Sequence, residues 1–84
     1  MEKKPIGEIL HFFSKINVAV IKLDEELSVG DTISIEGATT NFQQKVDSMQ
    51  VEHKGLEKAE KGMEIGMKVK DAVRKGDKVF KVEE

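Results

Sequence analysis

The sequence predicts an all-β fold, a small closed barrel of six short strands in a Greek-key order with one short helical turn. Apolar and polar residues alternate with a period of two, as where Ile33 and Ile35 stand between polar neighbours, and this pattern is typical of half-buried strands. Gly-Asp pairs at 30–31 and 76–77 each precede such a run, and glycine and aspartate favour tight turns. Short strands with regular turns favour closure, because a closed barrel has no exposed edge.

The alternation places the strands in order along the chain. They lie near residues 5–13, 17–24, 31–37, 40–53, 63–70 and 77–83. The fourth strand is long, so we expect it to be bent or bulged. Pro5 fits the start of the first strand, where its missing N–H does least harm. The helical turn is predicted at residues 56–61, and Gly62 would end it.

Length and composition limit the classes of protein. Residues 1–84 are expected to form a single domain with one modest core. The absence of cysteine excludes disulfides and thiolate metal sites and fits a cytoplasmic location. The apolar run at 16–23 contains Asn17 and Lys22, so no membrane span is predicted. With 14 basic and 16 acidic residues, the net charge is −2, which argues against a polycation that binds nucleic acid non-specifically.

No motif in the sequence indicates catalysis. The two histidines, His11 and His53, are far apart and lie in no metal-ligand spacing. The serines lie outside any nucleophile-elbow pattern, and no phosphate-binding Gly-x-x-x-x-Gly-Lys-Ser/Thr motif is present. We therefore expect no enzymatic activity, no metal, no cofactor and no direct GTP binding.

A local nucleic-acid surface is predicted in the C-terminal half. Lys68 and Lys70 share one strand face, and His53 and Lys54 end the long strand on which Gln50 also lies. Lysine side chains of this kind can contact phosphates. The alternative is that these side chains only solvate outward strand faces, and it stays open.

Apolar residues in polar surroundings suggest a protein contact as the other possibility. Phe13, Ile16 and Phe42 are the candidates. Phe42 could also stack on a base, but a Phe in such a stretch more often plugs a barrel end, and we favour that interpretation. Gly66 lies inside a predicted strand, where glycine often marks the close approach of a neighbouring strand or a ligand.

A set of small and apolar residues with fixed spacing carries a family resemblance. The set is Val46, Ser48, Met49, His53, Leu56, Ala59, Gly62, Ile65 and Gly66. It resembles domain two of elongation factors of the Tu/1-alpha type, and the similarity extends from about Ile6 to Val82. The family's acidic residue on this strand is Gln50 here, and its proline corresponds to Gly55.

The resemblance implies a free-standing barrel of the translation-protein type without GTPase activity. Such a module would dock on transfer RNA, ribosomal RNA or the ribosome in translation. The alternative is a protein-interaction subunit that completes a larger enzyme in trans, either a GTPase or a peptidase-like RNA-modification enzyme. Its partner would then supply the missing domains.

Overall fold

The computed structural model describes residues 2–52 and 54–83, and the described residues form strands and turns with no helix. There are ten strands in this part of the chain. They are β1 (Glu2–Phe13), β2 (Val18–Leu23), β3 (Leu27–Ser28), β4 (Thr32–Glu36), β5 (Asn41–Lys45), β6 (Met49–Val51), β7 (Lys54–Leu56), β8 (Lys58–Ala59), β9 (Glu64–Lys68) and β10 (Lys78–Glu83). The all-β prediction is confirmed. None of the described segments is a helix of the length and hydrophobicity that crossing a membrane requires.

Eight of these strands form one antiparallel sheet in the order β5-β4-β10-β1-β2-β9-β6-β7, and β3 pairs with β8 in a separate ribbon. The sheet does not close, since β5 and β7 are its two edge strands. The predicted closed six-stranded barrel is therefore wrong in its closure and its strand count. Alternation of apolar residues specifies which face of a strand is buried, but it does not specify whether the first and last strands pair.

The predicted strand at 40–53 is broken at Val46. The Val46 N–H donates to the Asp31 carbonyl at 2.8 Å, and the Gly30 N–H donates to the Val46 carbonyl at 2.9 Å. The turn before β4 thus uses both backbone groups of Val46, whose side chain is buried. Val46 is thus still bonded on the β4 side, whereas Met49 pairs with Met67 of β9, so the chain changes its partner between these residues and β5 and β6 are separate strands.

The predicted helical turn at 56–61 is not present. Ala59 is buried and pairs with Leu27, and the Val29 N–H donates to the Glu57 carbonyl at 2.8 Å. Pairing between β3 and β8 holds this segment extended, because tertiary contacts override weak helix propensity. Gly62 ends no helix and instead forms a turn with positive φ.

One face of the sheet builds the core. In β2, Ala19, Ile21 and Leu23 are buried, whereas Val18 and Val20 on the other face are half-buried. The core continues through the inward residues of the neighbouring strands, among them Ile6, Ile9, Ile33, Ile35, Ile65, Met67 and Val79. The opposite face of the sheet is left for solvent or for a partner.

A β-bulge in β1 decides which side chains reach that outer face. The register shifts between Ile9 and His11, so that His11 lies opposite Val20 and Phe13 lies opposite Val18. Residues directly opposite one another in an antiparallel pair point to the same face. Without the extra residue, Leu10, the alternation of inward and outward side chains after it would reverse. The bulge therefore places Phe13 on the outer face.

Candidate docking surface

Two of the three predicted protein-contact residues lie together at the β1–β2 turn. Phe13 is 47% exposed and Ile16 is 60% exposed, and with Val29 they are the exposed large hydrophobic residues of the described chain. Phe42 lies apart from them on edge strand β5, where it is half-buried and packs against the core. The structure therefore joins Phe13 with Ile16 and separates both from Phe42.

A shallow depression extends from Phe13 and Ile16 across the outer face of the sheet. It consists of two adjoining depressions that share Ile16, Val18, Gln50 and Gly66. We call them together the apolar groove and define it by Phe13, Ile16, Val18, Val20, Gln50, Val51, Gly55 and Gly66. Val20 lies opposite Gly66, and Gly66 lies opposite Gln50, so the groove runs over three adjacent strands. Its floor is the backbone at Gly66, because this residue has no side chain to fill the space.

Charged residues differ between the two ends of the apolar groove. Glu52 and Glu64 line one end, and Lys68 lines the other. The ion pairs recorded among the described residues include none of these three side chains. The groove therefore has apolar walls, an acidic end and a basic end.

The orientation of Phe13 is supported by His11. Their ring centroids are 4.4 Å apart, with an interplanar angle of 66°, which is an edge-to-face arrangement. Aromatic pairs favour this geometry, and each such pair contributes about 0.5–1.5 kcal/mol beyond area burial. His11 thus contacts the exposed Phe13 ring at the rim of the apolar groove.

The predicted nucleic-acid residues do not form one cluster. Lys68 lines the basic end of the apolar groove, where Gln50 also lies, and together with Lys70 it lines a second pocket, which we call the polar pocket because most of its lining residues are polar. Lys54 lies on edge strand β7. His53 lies outside the described residues. The role of these five positions stays a prediction.

Residues that the sequence reasoning did not select complete the polar pocket. They are Gln44, Lys45, Asp47, Ser48 and Val69. Lys45 belongs to edge strand β5, and no local pattern in the sequence indicates that β5 approaches the end of β9. The proximity follows from tertiary structure alone.

Gln44 connects the β5 edge to the end of β9. Its Nε2 donates to the Lys68 carbonyl at 3.1 Å, and its Oε1 accepts from the Lys70 N–H at 2.9 Å. The side-chain amide thus makes the two bonds that a neighbouring strand would make. The wall of the polar pocket is therefore a structural link, which explains part of its polar character without any ligand.

Carboxylates with a shifted pKa lie away from the groove and are explained by neighbouring lysines. The pKa of Glu8 is lowered, chiefly because Lys78 donates a hydrogen bond to it. The pKa of Glu36 is lowered by the hydrogen bond from Lys3, at 2.7 Å, and then by that from Ser34. Both are surface ion pairs, so these shifts do not identify a catalytic group.

Within residues 2–52 and 54–83, no three His, Cys, Asp or Glu side chains are placed to hold a metal ion. The site that the geometry supports best is a contact surface, with an apolar groove and differently charged ends.

Comparison with known proteins places the chain beside much longer peptidases. It is 43% identical, over 98% of its length, to an uncharacterized protease of Methanocaldococcus jannaschii, and 38% identical, over 95%, to a collagenase of Porphyromonas gingivalis. These matches cover only 20% and 23% of the relatives, so the chain spans about a fifth of their length. No protein-family model matches the sequence.

A solved structure has the same fold. The C-terminal domain of a putative U32 peptidase from Geobacillus thermoleovorans superposes with a TM-score of 0.89 at 19% identity, covering 95% of this chain and 93% of that domain. Its selenomethionine variant gives a TM-score of 0.86, also at 19% identity, over 90% of this chain and 96% of that one. At this identity the similarity establishes the fold alone.

The resemblance to elongation factors is therefore wrong, and so is the predicted role as an RNA-docking translation module. The relatives are named protease and collagenase, and the structural neighbour is a U32 peptidase domain. Small apolar residues at turn-and-strand spacing recur in many small β folds, so they did not discriminate between families. Gln50 and Gly55, which depart from the elongation-factor pattern, were the contrary signal.

Proposed function

We propose that this chain is a non-catalytic accessory domain of a U32-peptidase-type enzyme, and that it packs against the remainder of such a protein. The observation that carries the proposal is the 43% identity over nearly the whole chain to a segment that makes up a fifth of the protease from M. jannaschii. The other four fifths of such a protein is long enough to contain a complete active site. The partner is thus a protein surface, contributed by the same polypeptide or by a separate one.

The chemistry of the chain supports a non-catalytic role. It has no cysteine, and the ring of His11 packs against Phe13. Catalysis of hydrolysis requires an activated nucleophile or a metal-bound water together with a proton acceptor. Among residues 2–52 and 54–83, no three His, Cys, Asp or Glu side chains are placed to hold a metal ion, which supports a role in positioning the catalytic part or in contacting its substrate.

The proposal can be tested with a chimaera in which this chain replaces the matching segment of the M. jannaschii protein. The measurements are calorimetric unfolding and hydrolysis of gelatin, an unfolded chain that serves as a general protease substrate, by the chimaera and by the intact relative. An unrelated β domain of similar length, inserted at the same place, is the matched control. Hydrolysis by the free 84-residue chain is measured in parallel.

We expect the chimaera to unfold in one cooperative transition near that of the intact relative, and to match its activity. The unrelated domain should unfold independently, because it makes no contact with the catalytic part. Independent unfolding of our chain in the chimaera would contradict the accessory role. Gelatin hydrolysis by the free chain would contradict the non-catalytic role.

A further inference from the structure

Five of the seven glycines are required by the fold itself. Three of them, Gly30, Gly62 and Gly76, have positive φ. A Cβ at Gly7 would lie 2.6 Å from the Lys22 carbonyl oxygen, and a Cβ at Gly37 would overlap the Asp77 carboxylate. At each of these positions a side chain would strain the backbone or collide with a neighbour.

Gly66 and Gly55 have no such reason. A Cβ at Gly66 would lie 3.5 Å from Gln50 Cγ and 3.5 Å from Val18 Cγ1, which are ordinary van der Waals contacts. A Cβ at Gly55 would have nothing within 4 Å, and neither residue has positive φ. Glycine inside a strand is destabilising, so the isolated fold loses stability by having glycine at both positions.

These two glycines lie in one row on the outer face of the sheet. Gly66 is opposite Gln50, and Gln50 is opposite Gly55 on the edge strand. Both glycines line the depression that contains Ile16 and Val18. The sheet surface is therefore recessed at the two glycines, beside the projecting side chains of Ile16 and Val18. This shape allows another chain to approach the backbone closely.

We propose that the apolar groove binds an apolar segment from the catalytic part of a U32-peptidase-type protein. A basic residue of that segment would lie between Glu52 and Glu64. The inference rests on the proposed function and specifies its surface. The relatives supply the occupant, since about four fifths of their length lies outside the matched segment. The acidic end of the groove supplies the charge that a basic residue would complement.

The exposed wall fits this occupant. Phe13 and Ile16 expose large apolar surfaces next to the two unexplained glycines, and an aromatic anchor beside a pocket is the usual centre of a protein contact. Burial of this wall by a partner segment removes apolar surface from water and excludes water from the backbone at Gly66. The same residues explain why the chain keeps two glycines that weaken its own strands.

The test uses the chimaera with the M. jannaschii protein and two groove variants, Ile16→Glu and Gly66→Val. The matched control is Val29→Glu, which changes the third exposed hydrophobic residue, outside the groove. Amide hydrogen exchange is measured at residues 14–17 and along β7, in the chimaera and in the free chain. Sedimentation of the free chain measures whether it associates with itself.

We expect exchange at these amides to slow at least tenfold in the chimaera, and we expect each groove variant to abolish the slowing and to split the single unfolding transition into two. Val29→Glu should change neither. Calorimetry of the free variants checks that the chain itself remains folded.

Three other results would overturn the inference. A single transition without protection at the groove means that the domain docks through another surface, so the inference fails and the proposed function stands. Two transitions in the unmodified chimaera mean that the proposed function fails, and the inference fails with it. Protection of the groove in the free chain by self-association, with no further change in the chimaera, assigns the groove to a second copy instead.

Discussion

The two halves of the outer surface differ in whether their side chains have partners within the chain. Across β4, β10 and the first part of β1, lysines pair with carboxylates, as in Lys3 with Glu36 at 2.7 Å and Lys81 with Asp31 at 3.5 Å. Across β2, β9, β6 and β7, the surface is the apolar groove with its glycine floor. In the first half, charged side chains form ion pairs at the surface. The second half exposes apolar surface that a partner would cover. Under the proposed function, the second half is the surface that would contact the remainder of a U32-peptidase-type protein.

The largest expected effect is on the free energy of unfolding, and it compares a core residue with a groove residue of the same strand, β2. Ile21 is fully buried, so Ile21→Ala should lower the free energy of unfolding by about 2–5 kcal/mol through lost burial and a cavity. Val20 is the adjacent residue on the groove face, and Val20→Ala should cost less than about 1 kcal/mol in the free chain. Urea unfolding of both variants measures the contrast. Equal losses would mean that the outer face is packed as tightly as the core.

The second contrast compares glycine positions in the two halves. Gly37→Ala should destabilise by about 1–3 kcal/mol, because the added methyl group overlaps the Asp77 carboxylate. Gly66→Ala should be neutral or stabilising by up to about 1 kcal/mol, because its Cβ fits and alanine loses less backbone entropy on folding. Chemical denaturation of the free chain gives both values. A strongly destabilised Gly66→Ala variant would remove the argument that this glycine serves a partner.

The third contrast concerns the link between the sheet edge and β9. Gln44→Ala removes two hydrogen bonds to the backbone of Lys68 and Lys70 and should cost about 0.5–1.5 kcal/mol. Gln43→Ala is the matched control, since Gln43 is an exposed neighbour on the same strand. Hydrogen exchange at the Lys70 amide should accelerate in the first variant only. If both variants leave that amide unchanged, the amide link is not a stabilising contact.

The smallest effect concerns the ion-paired half and depends on pH. The lysines lower the pKa of Glu8 and Glu36, so the pairs stabilise the fold above the unfolded pKa near 4.5, and this contribution is lost as the pH falls through the lower folded values. Lys3→Gln with Lys78→Gln should therefore lower the melting temperature slightly at pH 7, and by progressively less as the pH falls below 4.5. Both pairs are exposed, so the difference should shrink with added salt.

The control for the pH experiment is Lys61→Gln. Lys61 belongs to no ion pair among the described residues, and its substitution should leave the pH profile unchanged. Carboxyl chemical shifts followed by NMR measure the two glutamate pKa values directly. Ordinary values for both in the unmodified chain would show that the lysine contacts are absent in solution.

Much of the strand layout could be predicted from local alternation. Strands β2, β4, β9 and β10 fall inside or close to the ranges that alternation indicates, because each has one buried face. The break at Val46 and the extended β8 could not be predicted, because both depend on backbone bonds to turns and strands distant in sequence. Closure also depends on distant pairing. Here edge strand β5 is linked to the end of β9 by the Gln44 side chain and not by backbone pairing.

The candidate surface was partly predictable. Phe13 and Ile16 stood out as apolar residues beside a polar turn, and the structure places them together. Their continuation over Gly66 to Gln50 required the strand order, which local patterns do not contain. The elongation-factor resemblance was wrong for a related reason, since short apolar spacings reflect a shared type of fold more than shared ancestry. The alternative, a subunit that completes a peptidase-like enzyme, agrees better with the names of the relatives.

The bulge after Ile9 adds one residue to β1, and this one residue determines which side chains lie on the outer surface. A deletion of Leu10 would restore an uninterrupted ladder and exchange the sides on which Phe12 and Phe13 emerge. The same amino acids would then present a different face, without any substitution. A one-residue insertion or deletion at this position therefore decides which of the two aromatic rings lies on the outer face.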